Sequence, residues 1–160
     1  MNPIDFSVIG RVGVLFGGLS AEREVSLDSG QAVFNALVAL GVDAVAIDVK
    51  ENIIEQITLA NIDAAFIVLH GGAGEDGRLQ ALLTIMNIPY TGSDVQSSAL
   101  AMNKLLSKQL WHGVGVATSP FVVLDEFTDF EKAILQLGDS AMVKPAQEGS
   151  SIGMGFAYSA

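Results

Sequence analysis

A chain of 160 residues can bury about two thirds of its unfolded surface and supports one or two small domains. It has no cysteine, which excludes disulfide frameworks, thiolate zinc sites and a cysteine nucleophile, and fits a reducing compartment. Its net charge of -10 argues against nucleic acid and anionic membranes as partners, since nothing would supply a phosphate-neutralising field. The start, MNPIDFSVIG, lacks a basic segment followed by a long apolar one. No apolar run approaches the roughly 18 residues of a membrane span, so a cytoplasmic protein is expected. Half the residues are hydrophobic but only 7% aromatic, so the apolar content is mainly Ala, Val, Leu and Ile. Parallel strands buried on both faces have that composition.

In chain order, Val12, Val14, Leu15 and Phe16 predict a strand, stopped by Gly17-Gly18, where the backbone can turn without a Cβ penalty. A helix should follow. Ser20 or Ser26 is the candidate cap, Val33, Ala36, Leu37 and Leu40 recur at helical spacing, and Gly41 ends it. Asp43 to Val49 alternates as a strand and Ile53 to Leu59 is a short amphipathic piece. Ala64 to Leu69 is a continuous apolar run that predicts a fully buried central strand. It delivers a loop, His70 to Gly77, with four glycines in eight residues, ahead of a helix carrying Leu79, Leu82, Leu83 and Met86. Ile88-Pro89-Tyr90 reads as a short edge strand, and Thr91 to Asp94 as a turn before Val95 to Met102. The first ninety-odd residues therefore predict an α/β fold with a doubly wound parallel sheet.

A composition shift follows, and the expected division is residues 1–96 and 97–160. Asn103 to His112 is helical, Phe121 to Leu124 a strand, Thr128 to Leu137 a helix, Ala141 to Pro145 a strand carrying Lys144, and Gly155 to Tyr158 the beginning of another.

Two loops carry chemistry. The cluster Ser20, Glu22, Arg23, Glu24 and Ser26 follows a strand, at the sheet edge where ligands bind. Its carboxylates would repel a pyrophosphate and suit a cationic group, although a solvated connection would have the same spacing. Lys144 to Gly153 sets a lysine at a strand end before small residues with free N-H and hydroxyl donors, which is what wrapping a polyphosphate requires. A flexible hairpin loop with an exposed lysine is the plain alternative. His70 beside glycines is, on its own, more often a structural hydrogen-bonder than a site residue, and Glu75 and Asp76 read as caps of the following helix rather than as a paired-carboxylate site.

Taken in order, Gly17-Gly18-x-Ser20-Ala21-Glu22-Arg23-Glu24-Val25-Ser26-Leu27, His70-Gly71-x-x-Gly74-Glu75-Asp76-Gly77 and Lys144-Pro145-x-x-Glu148-Gly149-Ser150-Ser151-x-Gly153 resemble the D-alanine-D-alanine ligase family of ATP-grasp enzymes, which act in peptidoglycan precursor synthesis. Tyr90-Thr91-Gly92-Ser93 and Met102-Asn103-Lys104 also look like the family, with Asn103 where members usually carry an acidic residue. The resemblance covers nearly everything from Val12 to Gly155. It implies a Rossmann-like N-terminal domain followed by an incomplete α+β ATP-grasp subdomain.

The resemblance further implies joining of two D-alanines with ATP through an acyl phosphate. Glu22 would accept the ammonium of the first D-alanine and His70 would sit close to it, while Ser150 would hydrogen-bond near Glu22. Lys104, Lys144 and Ser151 would contact ATP phosphates. The ligands of the implied Mg2+ (or Mn2+) would belong to a following half, so this chain alone is expected to be nearly inactive and its last strand, Met154 to Tyr158, to be an unpaired edge. Homodimerisation through the N-terminal domain is common in the family. Two rivals remain at this point: a non-catalytic module binding a small molecule or partner chain, and an ATP-grasp ligase taking another acceptor such as D-lactate.

Overall fold

Branched and aromatic side chains make Val12–Gly17 a strand, β1, and every residue in it is buried. In the computed structural model, which describes residues 5–159, β1 is the centre of a three-stranded parallel sheet of order β2-β1-β3. The first four residues of the N-terminal stretch considered above, and Ala160, lie outside the described residues. The flanking strands are β2 (Ala44–Val49) and β3 (Ala64–Ile67). Val12 stands opposite Ala44 on one side and Ala64 on the other.

The sequence pointed to Ala64–Leu69 as the central strand, and this is corrected. β3 is four residues long, three of them only half-buried, and Val68 and Leu69 are buried in the segment beyond it. Among the described residues its outer side meets an isolated bridge, Ala65 to Tyr90, and the Thr91 hydroxyl, in place of the edge strand expected at Ile88–Tyr90. An apolar run reports burial, which a strand exit under a helix satisfies as well as a central strand does.

Helices cover both faces. α1 (Arg23–Ala39) lays Leu27, Val33, Phe34 and Leu37 against Val14, Phe16 and Val68. Gly30 permits this approach: a Cβ there would overlap the Phe16 side chain. On the opposite face α2 (Ile53–Ala60) and α3 (Arg78–Ile85) bring Ile57, Leu79 and Leu83 onto Leu15, Ile47 and Ala65. Alternation along β1 thus feeds two cores, Leu15 into one and Val14 and Phe16 into the other. This is the doubly wound arrangement. It sets the loops after β1 and β3 at the same carboxyl edge of adjacent strands.

The chain divides into two compact units, one ending at Ala99 and one beginning at Leu100. Helix α4 (Val95–Met102) carries the chain across that division. In the second unit α5 (Lys104–Gly113) is capped by Asn103, whose side chain accepts from the N-H groups of Leu105 and Leu106. Asp129 caps α6 (Phe130–Leu137) by accepting from Lys132 N-H. Strands β4 (Ser140–Val143) and β5 (Gly155–Tyr158) form an antiparallel pair, with Ser140 opposite Tyr158. The last strand is therefore paired along one side, where an unpaired edge was expected; its other side has no strand partner among the described residues. Phe121–Leu124, expected as a strand, is not one: no described strand hydrogen-bonds to it, and propensity without a neighbour does not make a ladder. No helix of the described residues is long and apolar enough to cross a membrane.

Candidate functional site

The turn after β1 is shaped by Gly17 and Gly18, both at φ 80. A side chain at Gly17 would run into Asp48 and Arg23, which explains what is packed there. The Arg23 guanidinium holds both Asp48 carboxylate oxygens at 2.8 Å and donates to Gly18 O at 3.1 Å. That guanidinium keeps the Asp48 carboxyl below its ordinary range, against the opposing effect of partial burial. One fork thus ties together the start of α1, the end of β2 and the glycine turn.

Of the two serines proposed to accept N-H groups at the helix start, Ser20 does so, from Glu22, and Ser26 does not. The cap position belongs to Glu22, which makes no side-chain cap bond. Ser26 lies within α1, wholly buried; its hydroxyl accepts from Gly17 N-H at 2.9 Å and donates to Val68 O at 2.6 Å, linking the exits of β1 and β3. Ser20 donates to His70 O at 2.6 Å and accepts from Glu22 N-H at 3.1 Å. The two loops are therefore sewn together by hydroxyls, which supply the donor and acceptor that buried backbone needs.

This stitching places Glu22 and His70 at one edge. Gly71 is buried at φ 65, and a Cβ on it would stand 2.5 Å from Glu22 Oε2, so the carboxylate rests against glycine backbone. The His70 ring has Nε2 3.1 Å from Ser29 Oγ and Nδ1 3.9 Å from Glu75 Oε1. Glu75 thus faces the histidine instead of capping α3. Asp76 does support that helix, accepting from Arg78 N-H at 3.1 Å and pairing with its guanidinium at 2.7 Å. Beneath the glycine loop, buried Gln80 donates to Gly74 O at 2.8 Å, while its Oε1 is buried with no hydrogen-bond partner. An acidic edge with one imidazole can take up an amine cation.

In the second unit, Lys104 donates its backbone N-H to Ala146 O at 2.9 Å and its ammonium to Glu148 O. It is a strut for the loop carrying Glu148–Gly153, with two ammonium protons still to place. Lys144 lies exposed one residue past β4. Both line a largely apolar cavity of about 580 Å³, together with Lys108, Phe121 and Met142. Lys108 donates to Thr118 Oγ1 at 3.0 Å and Ser119 O at 2.8 Å, and lies 5.3 Å from the centre of the Phe121 ring. Ser150 and Ser151 both sit at positive φ, 45 and 61, in a turn closed by Ile152 N-H on Gly149 O. No group of three or more His, Asp or Glu gathers to hold a metal among the described residues.

Sequence reasoning singled out Glu22 and His70 but not Ser29, nor the structural use of Ser26 and of Arg23 with Asp48. The signal for the serines was present: positions 26 and 29 share one helix face. That face is polar in a helix whose other inward positions are apolar.

Residues 48–93 match the family model described as D-ala D-ala ligase N-terminus. The D-alanine--D-alanine ligase of Ectopseudomonas mendocina is 56% identical over 153 residues, 96% of this chain and 49% of that protein. Its counterpart in Acinetobacter baumannii is 50% identical over 91% of this chain and 46% of its own length. Among solved structures, a D-alanine--D-alanine ligase from Bacillus anthracis superposes with a TM-score of 0.82 at 34% identity, covering 94% of this chain and 50% of that one. The same enzyme complexed with ATP gives 0.79 at 33%, over 92% and 50%. The chain spans about half the length of the curated relatives it matches.

Proposed function

We propose, starting from the membership of this chain in the D-alanine-D-alanine ligase family, whose N-terminal half it matches, that it supplies the first D-alanine site and part of the ATP site of such a ligase. The reaction is ATP-driven joining of two D-alanines, with release of ADP and phosphate, for peptidoglycan precursors. Glu22 accepts the ammonium of the first D-alanine, and His70 flanks it. This reading rests on one observation above all: Ser20, bonded to both the Glu22 N-H and the His70 carbonyl, locks an acidic turn and an imidazole to one sheet edge.

In the second unit, Lys144 and Lys104 offer cationic charge and Ser151 a hydroxyl and N-H to the ATP phosphates, with Ser150 as the catalytic partner on the same loop. The carboxylate of D-alanine is a poor electrophile, and transfer of the γ-phosphoryl onto it makes an acyl phosphate that the second amine attacks. The lysines stabilise the negative charge of the transferring group and hold it in line. Magnesium, where bound, neutralises phosphate charge. The described residues present no ligand cluster that fits it. We read the protein as cytoplasmic, with a homodimer through the first unit as its proposed assembly.

The test is an amide-resolved NMR titration of the 160-residue chain with D-alanine, L-alanine as comparison. Saturable shifts at Ser20, Glu22 and Gly71 for D-alanine, lost in Glu22→Gln, are expected. Shifts that survive Glu22→Gln, or no shifts at all, would overturn the assignment. In parallel, Lys144→Ala should weaken binding of a non-hydrolysable ATP analogue while leaving the D-alanine shifts in place.

A further inference from the structure

Ser29 was not among the residues expected to matter, yet among the described residues it is the hydrogen-bond partner of the His70 ring. Its Oγ is 2.6 Å from Val25 O, one turn back in α1, and 3.1 Å from His70 Nε2. A serine hydroxyl has a single proton. Val25 O is a carbonyl oxygen and can only accept, so that proton is committed to the shorter contact. Toward His70 the hydroxyl then has only lone pairs to offer, and the ring nitrogen facing it must be the donor.

We infer that Ser29 is a positioning residue that locks neutral His70 as its Nε2-H tautomer, leaving the Nδ1 lone pair directed to the ligand edge beside Glu75. His70 is fixed at two further points. Ser20 holds its carbonyl, and Ser26 holds the carbonyl of Val68 two residues earlier. Three hydroxyls, from one turn and two consecutive turns of one helix, thus define backbone path and ring orientation together. The consequence lies at Nδ1. This nitrogen and Glu75 Oε1 are both acceptors and stand 3.9 Å apart. That is too far for a bond between them, and is a span that one N-H-bearing group can bridge with hydrogen bonds of ordinary length to both. With the opposite tautomer an N-H would point at Glu75 and the edge would lose an acceptor. Ser29 therefore sets which face of the imidazole an ammonium meets; this part rests on the reading of Glu22 and His70 as the D-alanine site.

The experiment is long-range 1H-15N correlation of the histidine side chains in the full 160-residue chain, at a pH where the rings are neutral. There are two histidines, and His112, in α5, is the internal reference, assigned through His112→Gln. Expected for His70 is Nε2 in the protonated range and Nδ1 in the unprotonated range. Ser29→Ala should move both nitrogens toward the mixed-tautomer values while His112 stays put. Ser29→Thr keeps a hydroxyl able to bond the same carbonyl and should restore the wild-type pattern. A merely structural serine would leave the nitrogen shifts unmoved. A wild-type ring found as Nδ1-H, or Ser29→Ala with unchanged nitrogen shifts and a native amide spectrum, would overturn the lock. The wild-type spectrum decides alone should the alanine variant fail to fold. Addition of D-alanine separates this inference from the one beneath it. Nδ1 should shift on saturation, and a locked ring with no D-alanine response would refute the substrate site and leave the tautomer standing.

Discussion

Replacing Ser26 by alanine removes one oxygen and strands two backbone groups. Ser26 is fully buried, and its hydroxyl is bonded to Gly17 N-H at 2.9 Å and Val68 O at 2.6 Å. A hydroxymethyl-to-methyl change leaves no room for water, so both partners keep their desolvation cost without the bond. Each such group costs about 1–3 kcal/mol. Alanine is the better helix former by up to about 0.5 kcal/mol, which acts in the other direction. The net expectation is a loss of roughly 2–5 kcal/mol, or, at about 4–8 °C per kcal/mol for a unit of this size, a fall in Tm on the order of 8–40 °C. Urea denaturation followed by far-UV circular dichroism reads it as a lower midpoint with an unchanged slope. Hydrogen exchange should show the loss of protection at the amides of β1 and β3. Ser29→Ala, in the same helix but half-buried, should cost no more than about 0.5 kcal/mol. A Ser26→Ala loss as small as that would refute the reasoning, because two buried orphans would then carry no penalty.

Gly30→Ala drives a Cβ into Phe16 and should destabilise by about 1–3 kcal/mol despite alanine's better helix propensity, as read by thermal unfolding; a stabilised variant would mean α1 does not pack so closely. Asp48→Asn should lower stability at neutral pH. Since the Arg23 guanidinium holds the folded-state carboxyl below its ordinary 3.8, the contribution is present above about pH 4 and fades as the pH falls through the folded value. The gap between wild type and variant should therefore close in acid, and a gap constant with pH would remove the ion pair as its cause. Asn103→Ala deletes a cap that accepts two N-H groups and should cost about 1 kcal/mol; amide exchange at Leu105 and Leu106 checks it.

What the residues disclosed depended on how local the deciding interaction is. The helices α1, α2, α3 and α5 could be read because apolar spacing, Gly41 and the glycines around 71–77 act within a turn or two. The order of strands could not. Ala64–Leu69 is as apolar as β1, and only pairing over a separation of tens of residues decides which is central. Phe121–Leu124 failed for the same reason, with strand-forming residues but no ladder beside them. At the site, Glu22 stood out because carboxylates at a helix start disagree with a phosphate ligand. Ser26 and Ser29 did not: their shared helix face is legible in the spacing, but the carbonyls they reach, Val68 and Val25, are not. Lys104 was read as a phosphate ligand, and its ammonium is also a strut for the Glu148 carbonyl, a contact between residues far apart in the chain.

The central position of β1 has a consequence for biosynthesis. The strand that ends up buried on every side leaves the ribosome before either of its two neighbours exists, and Val12 must wait for Ala44 and then for Ala64. In that interval Val-Gly-Val-Leu-Phe is an apolar segment with both hydrogen-bonding edges open, the kind that templates association with other nascent chains. The hairpin of β4 and β5 has its partner close in sequence and closes its ladder early. A trigger for misassembly during synthesis therefore lies in β1, made before both of its partners, and holdase chaperones should meet this chain through residues 12–17.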